Sequence, residues 1–387
     1  MAGSQSEQRR ERMSGRTKLQ IVVYGLVCLA ILLVPTFVDD AFILNKYARY
    51  LVLGIFAMSL SLCWGFAGIL NLGHAISFGL GSYCMAMMLK LRTVPVHTGA
   101  EGLPDFMVWN NVETLPWFWV PFHSIGFGLA AGIVVPVLFA MLLGWFIFRA
   151  RITGVYVAII TLATLVVVNL LIIDQQRYTG GFNGITDLAQ LEIMGLTFDA
   201  YGSSSYYLIA GTLTICLFLV LAITKSKTGL ILQAVRDHEN RVRYFGYDVA
   251  NYQIFAFSAS AAIAGVAGML YTIVMEFASP TFIGVSISLF VVIWCAVGGR
   301  QSLLGAMLGA IVVTGMQGAL SESEVFLNTW MLIMGFVFVL VVLFLPKGLA
   351  GAADLVAQRL GLGGGRSRGA SRARDGQIAA KPAEGAE

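Results

Sequence analysis

Residue types that carry covalent or metal chemistry are sparse in this sequence and far apart. The four histidines, His74, His97, His123 and His238, do not cluster, and the five cysteines lie inside apolar runs with no CxxC spacing. That pattern fits neither a metal cage nor a disulfide framework, and the thiols read as small apolar fillers. No GxxxxGK[ST] or HExxH segment occurs, so ATP cradling and zinc hydrolysis lack their machinery. The expectation is a protein that is not an enzyme, with no catalytic or metal-binding residues and no cofactor. A formal charge of only +4 gives no footprint for a nucleic-acid partner.

What remains is recognition. Across 228–246, Ile231, Val235, Val242 and Phe245, with His238 between, recur at spacings of four and three, one face of an amphipathic helix. On the other face Asp237 precedes Arg241 by four and Glu239 precedes Arg243 by four, the acid-before-base order worth about 0.2–0.5 kcal/mol per pair. Thr228 can cap this helix and Gly246 can end it. Two readings stay open: a docking element for a soluble partner, or a helix lying on the lipid interface.

The elements that position this segment follow from composition. The chain has 387 residues, 58% apolar and 12% charged, with a mean hydropathy of +0.80. A soluble domain is nearer half apolar and a quarter charged. A span needs roughly 20 apolar residues, and the apolar runs give ten candidates, at 19–38, 50–66, 73–89, 124–148, 153–173, 206–223, 252–275, 283–297, 302–320 and 328–345. The third and eighth are short or glycine-interrupted, as broken or re-entrant helices are. With the N-terminus inside, Lys46, Arg49, Lys90, Arg92 and Arg177 fall outside, and the other twenty of the 25 Lys and Arg fall inside. The positive-inside bias therefore predicts an all-α polytopic membrane protein of about ten transmembrane helices with both termini cytoplasmic. The domain reading is a basic tail over 1–18, a transmembrane domain over 19–348, and a disordered basic tail over 349–387.

The span interiors hold almost no ionisable groups, which counts against a proton-coupled carrier. A sodium-coupled carrier using backbone carbonyls of broken helices stays open. Small residues from Ser258 to Gly268, and the step Gly305–Gly309, suit close helix packing, with pore lining as the alternative.

Three segments carry a resemblance. Thr228-Gly229 with Ala234-Val235-Arg236-Asp237-His238-Glu239-Asn240-Arg241 and Gly246, Gly65-Phe66-Ala67-Gly68-Ile69-Leu70-Asn71-Leu72-Gly73-His74-Ala75, and Gly298-Gly299-Arg300-Gln301-Ser302-Leu303-Leu304-Gly305 are similar to motifs of the branched-chain amino acid type of ABC importer permeases. Within that family, Arg236 to Tyr247 and Thr179-Gly180-Gly181-Phe182-Asn183-Gly184-Ile185-Thr186 resemble the urea-type subunit.

The resemblance implies an inner-membrane permease importing urea or a short-chain amide, with branched-chain amino acids as the alternative and an ion-coupled transporter as the competing class. It implies a second homologous permease, two cytoplasmic ABC ATPases and a periplasmic solute-binding protein as partners, besides the lipid bilayer. ATP hydrolysis would belong to the partners. Thr228, Gly229, Val235, Arg236, Asp237, Glu239, Arg241 and Gly246 are then the expected ATPase-coupling residues. Asn71, His74, Phe182 and Asn183 are candidates for the substrate pathway, with helix packing equally open for Asn71 and His74. The acidic Glu101, Asp105 and Glu113 of the long external loop are candidates to meet the binding protein.

Overall fold

The computed structural model describes residues 22–94, 102–193 and 195–322, with scattered positions between 329 and 351. Its elements in chain order are α1 (Val22–Thr36), α2 (Ala41–Phe66), α3 (His74–Thr93), the short α4 (Asp105–Trp109), α5 (Ile125–Arg149), α6 (Val155–Asp174) and the single turn α7 (Gln176–Thr179). A hairpin of β1 (Leu191–Ile193) and β2 (Leu196–Phe198) follows, and then α8 (Ser203–Lys225), α9 (Lys227–Tyr244), α10 (Val249–Met275), α11 (Val285–Gly298) and α12 (Leu303–Glu322). Among the described residues, α2, α5, α6, α8, α10 and α12 are long and apolar enough to cross a membrane, and α1 and α11 are shorter apolar helices. The tenth expected span, 328–345, and the two expected tails lie largely or wholly outside the described residues.

Nine expected spans meet a helix at nearly the expected place. The hairpin is a departure from an all-α chain: Leu191 pairs with Phe198 and Ile193 with Leu196 in antiparallel register. A larger departure is at α2, which begins nine residues before the expected span. Asp40 caps it, accepting from the Phe42 amide at 2.8 Å. Lys46 and Arg49, expected outside, therefore lie one to two turns inside a helix. The polar start is tolerated because partners satisfy it: Asn45 donates to the carbonyls of Ala200 (2.8 Å) and Val274 (3.2 Å), and Lys46 pairs with Glu322.

The core is built around α3, buried along nearly its whole length against α5 and α10. Close backbone approach makes this possible. A Cβ on Gly81 would stand 2.2 Å from the Gly265 carbonyl oxygen, and one on Gly268 would stand 1.8 Å from that of Phe78. The small residues of α10 thus serve helix packing, as glycine and alanine stripes do where apolar solvent gives helices little drive to associate. The Gly305–Gly309 step does the same for α11 and α12, each Cβ position lying 2.4 Å from a carbonyl oxygen of α11. By contrast α6 leaves most of its apolar surface exposed, as a helix facing lipid or another subunit must.

The expected break near the third span lies before it. The end of α2 is a π-helical turn, Ser61–Phe66. From there 67–73 runs back, non-helical, into the bundle, so that His74 at the start of α3 meets Ser59, seven residues before the end of α2. At about 1.5 Å per residue that is a rise of roughly 10 Å. Irregular backbone at this depth needs protein partners. Thr161 of α6 accepts from the Leu72 amide (3.1 Å), and Ser288 of α11 donates to the Leu72 carbonyl.

Candidate functional site

The three resembling segments, far apart in sequence, meet at one end of the bundle. Arg236 of α9 donates from Nη1 to the Gly65 carbonyl at 2.7 Å. Its aliphatic stem lies over Gly68, whose φ of +76° places its absent Cβ 2.7 Å from Arg236 Cγ. From the other side, Ser61 donates to the Arg300 carbonyl at 2.8 Å, and a Cβ on Gly65 would be only 1.7 Å from that oxygen. The Arg300 guanidinium sits 5.5 Å from the centre of the Trp64 ring, a cation–π contact. The glycines are thus the positions where α9 and the α11–α12 turn press on the exit of α2.

α9 forms, with four corrections. Its cap is Ser226, which accepts from the Gly229 amide at 3.3 Å, while Thr228 lies within the first turn. Gly229 is where α9 turns back on the end of α8, its Cβ position 2.4 Å from the Thr224 carbonyl oxygen. Gly246, with φ +85°, follows the last turn and ends the helix as expected. The helix is not continuous: His238 has φ −153° and ψ 81°, outside helical geometry.

The break at His238 decides which ion pairs form. Glu239 and Arg243 lie after it and pair as expected. Asp237 and Arg241 straddle it, lose the helical i,i+4 register, and do not pair; Asp237 instead holds the adjacent Arg236 at 2.9 Å. The break also turns the apolar face. Val235 and Val242 are buried, clustering with Val249 of α10 and Ile231, and Leu232 joins Cys63, Ala67 and Ile69. His238 and Phe245, expected on that face, are exposed. α9 therefore spends its apolar side on its own bundle. Its outward side shows Asp237, His238, Asn240, Arg241, Tyr244 and Phe245, the last two 90% and 82% exposed.

Beside this surface lies an open cavity of about 480 Å³ lined by Arg151, Thr153, His238, Glu239, Asn240, Arg241 and Arg243. A smaller one of about 200 Å³ reaches from Thr153 and Gly154 to Gly68, Val235 and Arg236. Arg151 and Arg241 have no ion-pair partner among the described residues.

Asn71 and His74 come together in a buried network. The His74 ring lies parallel to Phe56, centroids 5.2 Å apart. Ser59 Oγ donates to the Phe56 carbonyl (2.7 Å), so it accepts from His74 Nε2 (2.7 Å), which leaves His74 Nδ1 to accept from the Asn71 amide at 3.4 Å. Asn71 Oδ1 accepts from the Gly73 amide at 2.9 Å. Phe182 and Asn183 do not join them. They sit exposed at the tip of a loop set by Gly180, Gly181 and Gly184, all at positive φ, and pinned by Ile185 pairing with Ala278.

Of the external acidic residues, Asp105 is engaged within the chain, 3.0 Å from the buried Lys90. Glu113 is exposed, and Glu101 lies outside the described residues. Lys90 and Arg49, expected only as external charges, are drawn into helix interfaces. Their signal was a charge at the edge of an apolar run.

Residues 42–342 match the family model described as "Branched-chain amino acid transport system / permease component". The "High-affinity branched-chain amino acid transport system permease protein LivM" of Escherichia coli (strain K12) is 27% identical over 322 residues, 78% of this chain and 67% of that protein. Its namesake from Salmonella typhimurium is 26% identical over 342 residues, 83% of this chain and 71% of that protein. The "Probable branched-chain amino acid transport permease protein LivM" of Methanocaldococcus jannaschii is 24% identical over 267 residues, 66% of this chain and 75% of that protein. No solved structure matches the chain.

Proposed function

This chain belongs to the family of branched-chain amino acid transport permeases, and on that premise we propose that it moves leucine, isoleucine or valine inward as one of two homologous permeases of an ABC importer. It is a multi-pass inner-membrane protein and a transport component, not an enzyme. Two cytoplasmic ATPases supply the energy and a periplasmic solute-binding protein delivers the substrate. Ten spans with both termini cytoplasmic put α9 on the ATPase side, with the permease domain over 19–348 between two basic tails.

Branched-chain amino acids replace the urea expected from the loop motifs. The family description and the LivM relatives are all named for branched-chain amino acid transport, and a carbamide-sized substrate has no comparable support.

The observation that carries the coupling role is the seating of α9. Its apolar side and Arg236 lock it to the exit of α2, while Tyr244, Phe245, Asp237 and Arg241 face outward. An ATPase that grips this outward side moves α2 and the re-entrant segment with it, as a rigid contact must. Thr228, Gly229, Val235 and Gly246 shape the element, Glu239 braces it through Arg243, and Asn71 and His74 lie on the segment that it moves. Uptake of labelled leucine into proteoliposomes holding the assembled transporter tests the reading. Competition by isoleucine and valine, none by urea or acetamide, and dependence on ATP are expected. Leucine uptake without the ATPases, or competition by acetamide alone, overturns it.

A further inference from the structure

Among the described residues, one charged side chain set in a helix interface lacks a charged partner. Arg49 lies on α2, nine residues past the cap at Asp40. Its Nε is buried with no hydrogen-bond partner among the described residues, and its Nη1 reaches only the Met275 sulfur, at 4.0 Å. Its neighbour Lys46 is committed to Glu322. A guanidinium carries five donors in a fixed fork that matches a carboxylate, and leaving a buried one unmet in a helix interface is costly.

The surroundings of Arg49 form a packed column of side chains. Arg49 and Phe56 are seven residues apart and share one face of α2. Met275 and Tyr271 are four apart on α10 and face the same way. Tyr271 packs on Phe78 at 5.3 Å, Phe78 on Phe56 at 4.6 Å, and Phe56 on His74 at 5.2 Å. The column thus runs from a guanidinium whose Nε is unpartnered, along aromatic rings packed on one another, to the re-entrant segment at His74. A molecule with a carboxylate at one end and an apolar branched body matches that order of groups.

We propose that Arg49 receives the α-carboxylate of the amino acid as it enters the permease, with Tyr271, Phe78 and Phe56 forming the apolar wall for its side chain. This rests on the branched-chain reading above. An arginine near a helix end can also reach a lipid phosphate, and the test separates the two.

The experiment uses the assembled transporter in proteoliposomes with saturating binding protein. Arg49→Gln is expected to lower leucine uptake by roughly tenfold or more, the scale of one lost charged hydrogen bond, while Arg49→Lys retains a large part of it. Uptake by Arg49→Gln at the wild-type rate overturns the proposal and leaves the branched-chain reading intact. Wild-type transporter that moves urea and not leucine overturns both. If Arg49→Gln fails to assemble, Arg49→Cys carries the test, because the five native cysteines are buried. Turnover of leucine is expected to slow its modification by an external cationic methanethiosulfonate severalfold. An unchanged rate assigns Arg49 to lipid and overturns the proposal.

Discussion

Arg236 and Gly65, 171 residues apart, are joined by a hydrogen bond of 2.7 Å from a guanidinium to a backbone carbonyl. A side chain expected to face a partner protein is instead the rivet between α9 and the end of α2. A hydrogen bond to a charged group contributes about 1.5–3 kcal/mol. Arg236→Ala is therefore expected to reduce leucine uptake about tenfold or more while ATPases still co-purify, since the outward face is unaltered. Asp237→Asn removes a solvent-exposed pair worth about 0–1 kcal/mol and leaves the Arg236 bond to Gly65 in place, so it is expected to lose less uptake than Arg236→Ala. Equal losses in the two variants would show that Arg236 acts outward, with Asp237.

Gly68 lies under the same guanidinium stem. Its φ of +76° costs an L-residue about 1–2 kcal/mol, and an added Cβ meets Arg236 Cγ at 2.7 Å. Gly68→Ala is expected to lower the melting temperature in detergent and to reproduce part of the Arg236→Ala uptake loss. Combined with Arg236→Ala, its steric component is expected to shrink, because the stem that it strikes is gone.

Nine helix positions were legible because apolar runs of this length have few other uses. The first turns of α2 were not, since Asn45, Lys46 and Arg49 read as loop chemistry until Ala200, Val274 and Glu322 are brought beside them. The amphipathic period of α9 was legible, yet the break at His238 was not. A period predicts which residues can share a face, and the packing of Val242 against Val249 is a tertiary fact that overrides it. The meeting of Gly65, Arg236 and Arg300 lies in the same class, and so does the hairpin at 191–198, whose strands are too short to show alternation.

The cap of α9 gives a local test. Ser226, not Thr228, accepts from the Gly229 amide, and losing an N-cap costs about 0.5–2 kcal/mol. Ser226→Ala is expected to speed hydrogen exchange across the first turn of α9, with Thr228→Ala leaving it close to wild type. The reverse order would restore Thr228 as the cap.

Lys90 and Asp105 tie α4 to the far end of α3. The Lys90 side chain is 5% exposed, and Asp105 at 3.0 Å is its ion-pair partner among the described residues; the Asp187 carbonyl is farther, at 3.5 Å. Removing one member of a buried pair costs more than the pair contributes, because the other charge stays buried. Asp105→Asn is therefore expected to be more destabilising than Lys90→Met with Asp105→Asn together, and to open Leu103–Trp109 to proteolysis. Additive costs in the double variant would count against this.

His74 is where substrate contact and helix packing make opposite forecasts. Both ring nitrogens are engaged, by Ser59 and Asn71, the ring stacks on Phe56, and 1% of the residue is exposed. A side chain so enclosed acts first as packing, and deleting a buried ring costs about 3–5 kcal/mol. His74→Ala is therefore expected to lower the melting temperature and the yield of the assembled transporter. His74→Gln can offer an N–H near the Nε2 position and is expected to recover stability that alanine loses. Direct contact forecasts something else: normal stability in both variants, with a raised KM for leucine. Melting temperature and uptake KM, measured together on the two variants, separate these outcomes. A KM change without a stability change would place the re-entrant segment on the substrate's path and leave His74 free to face it.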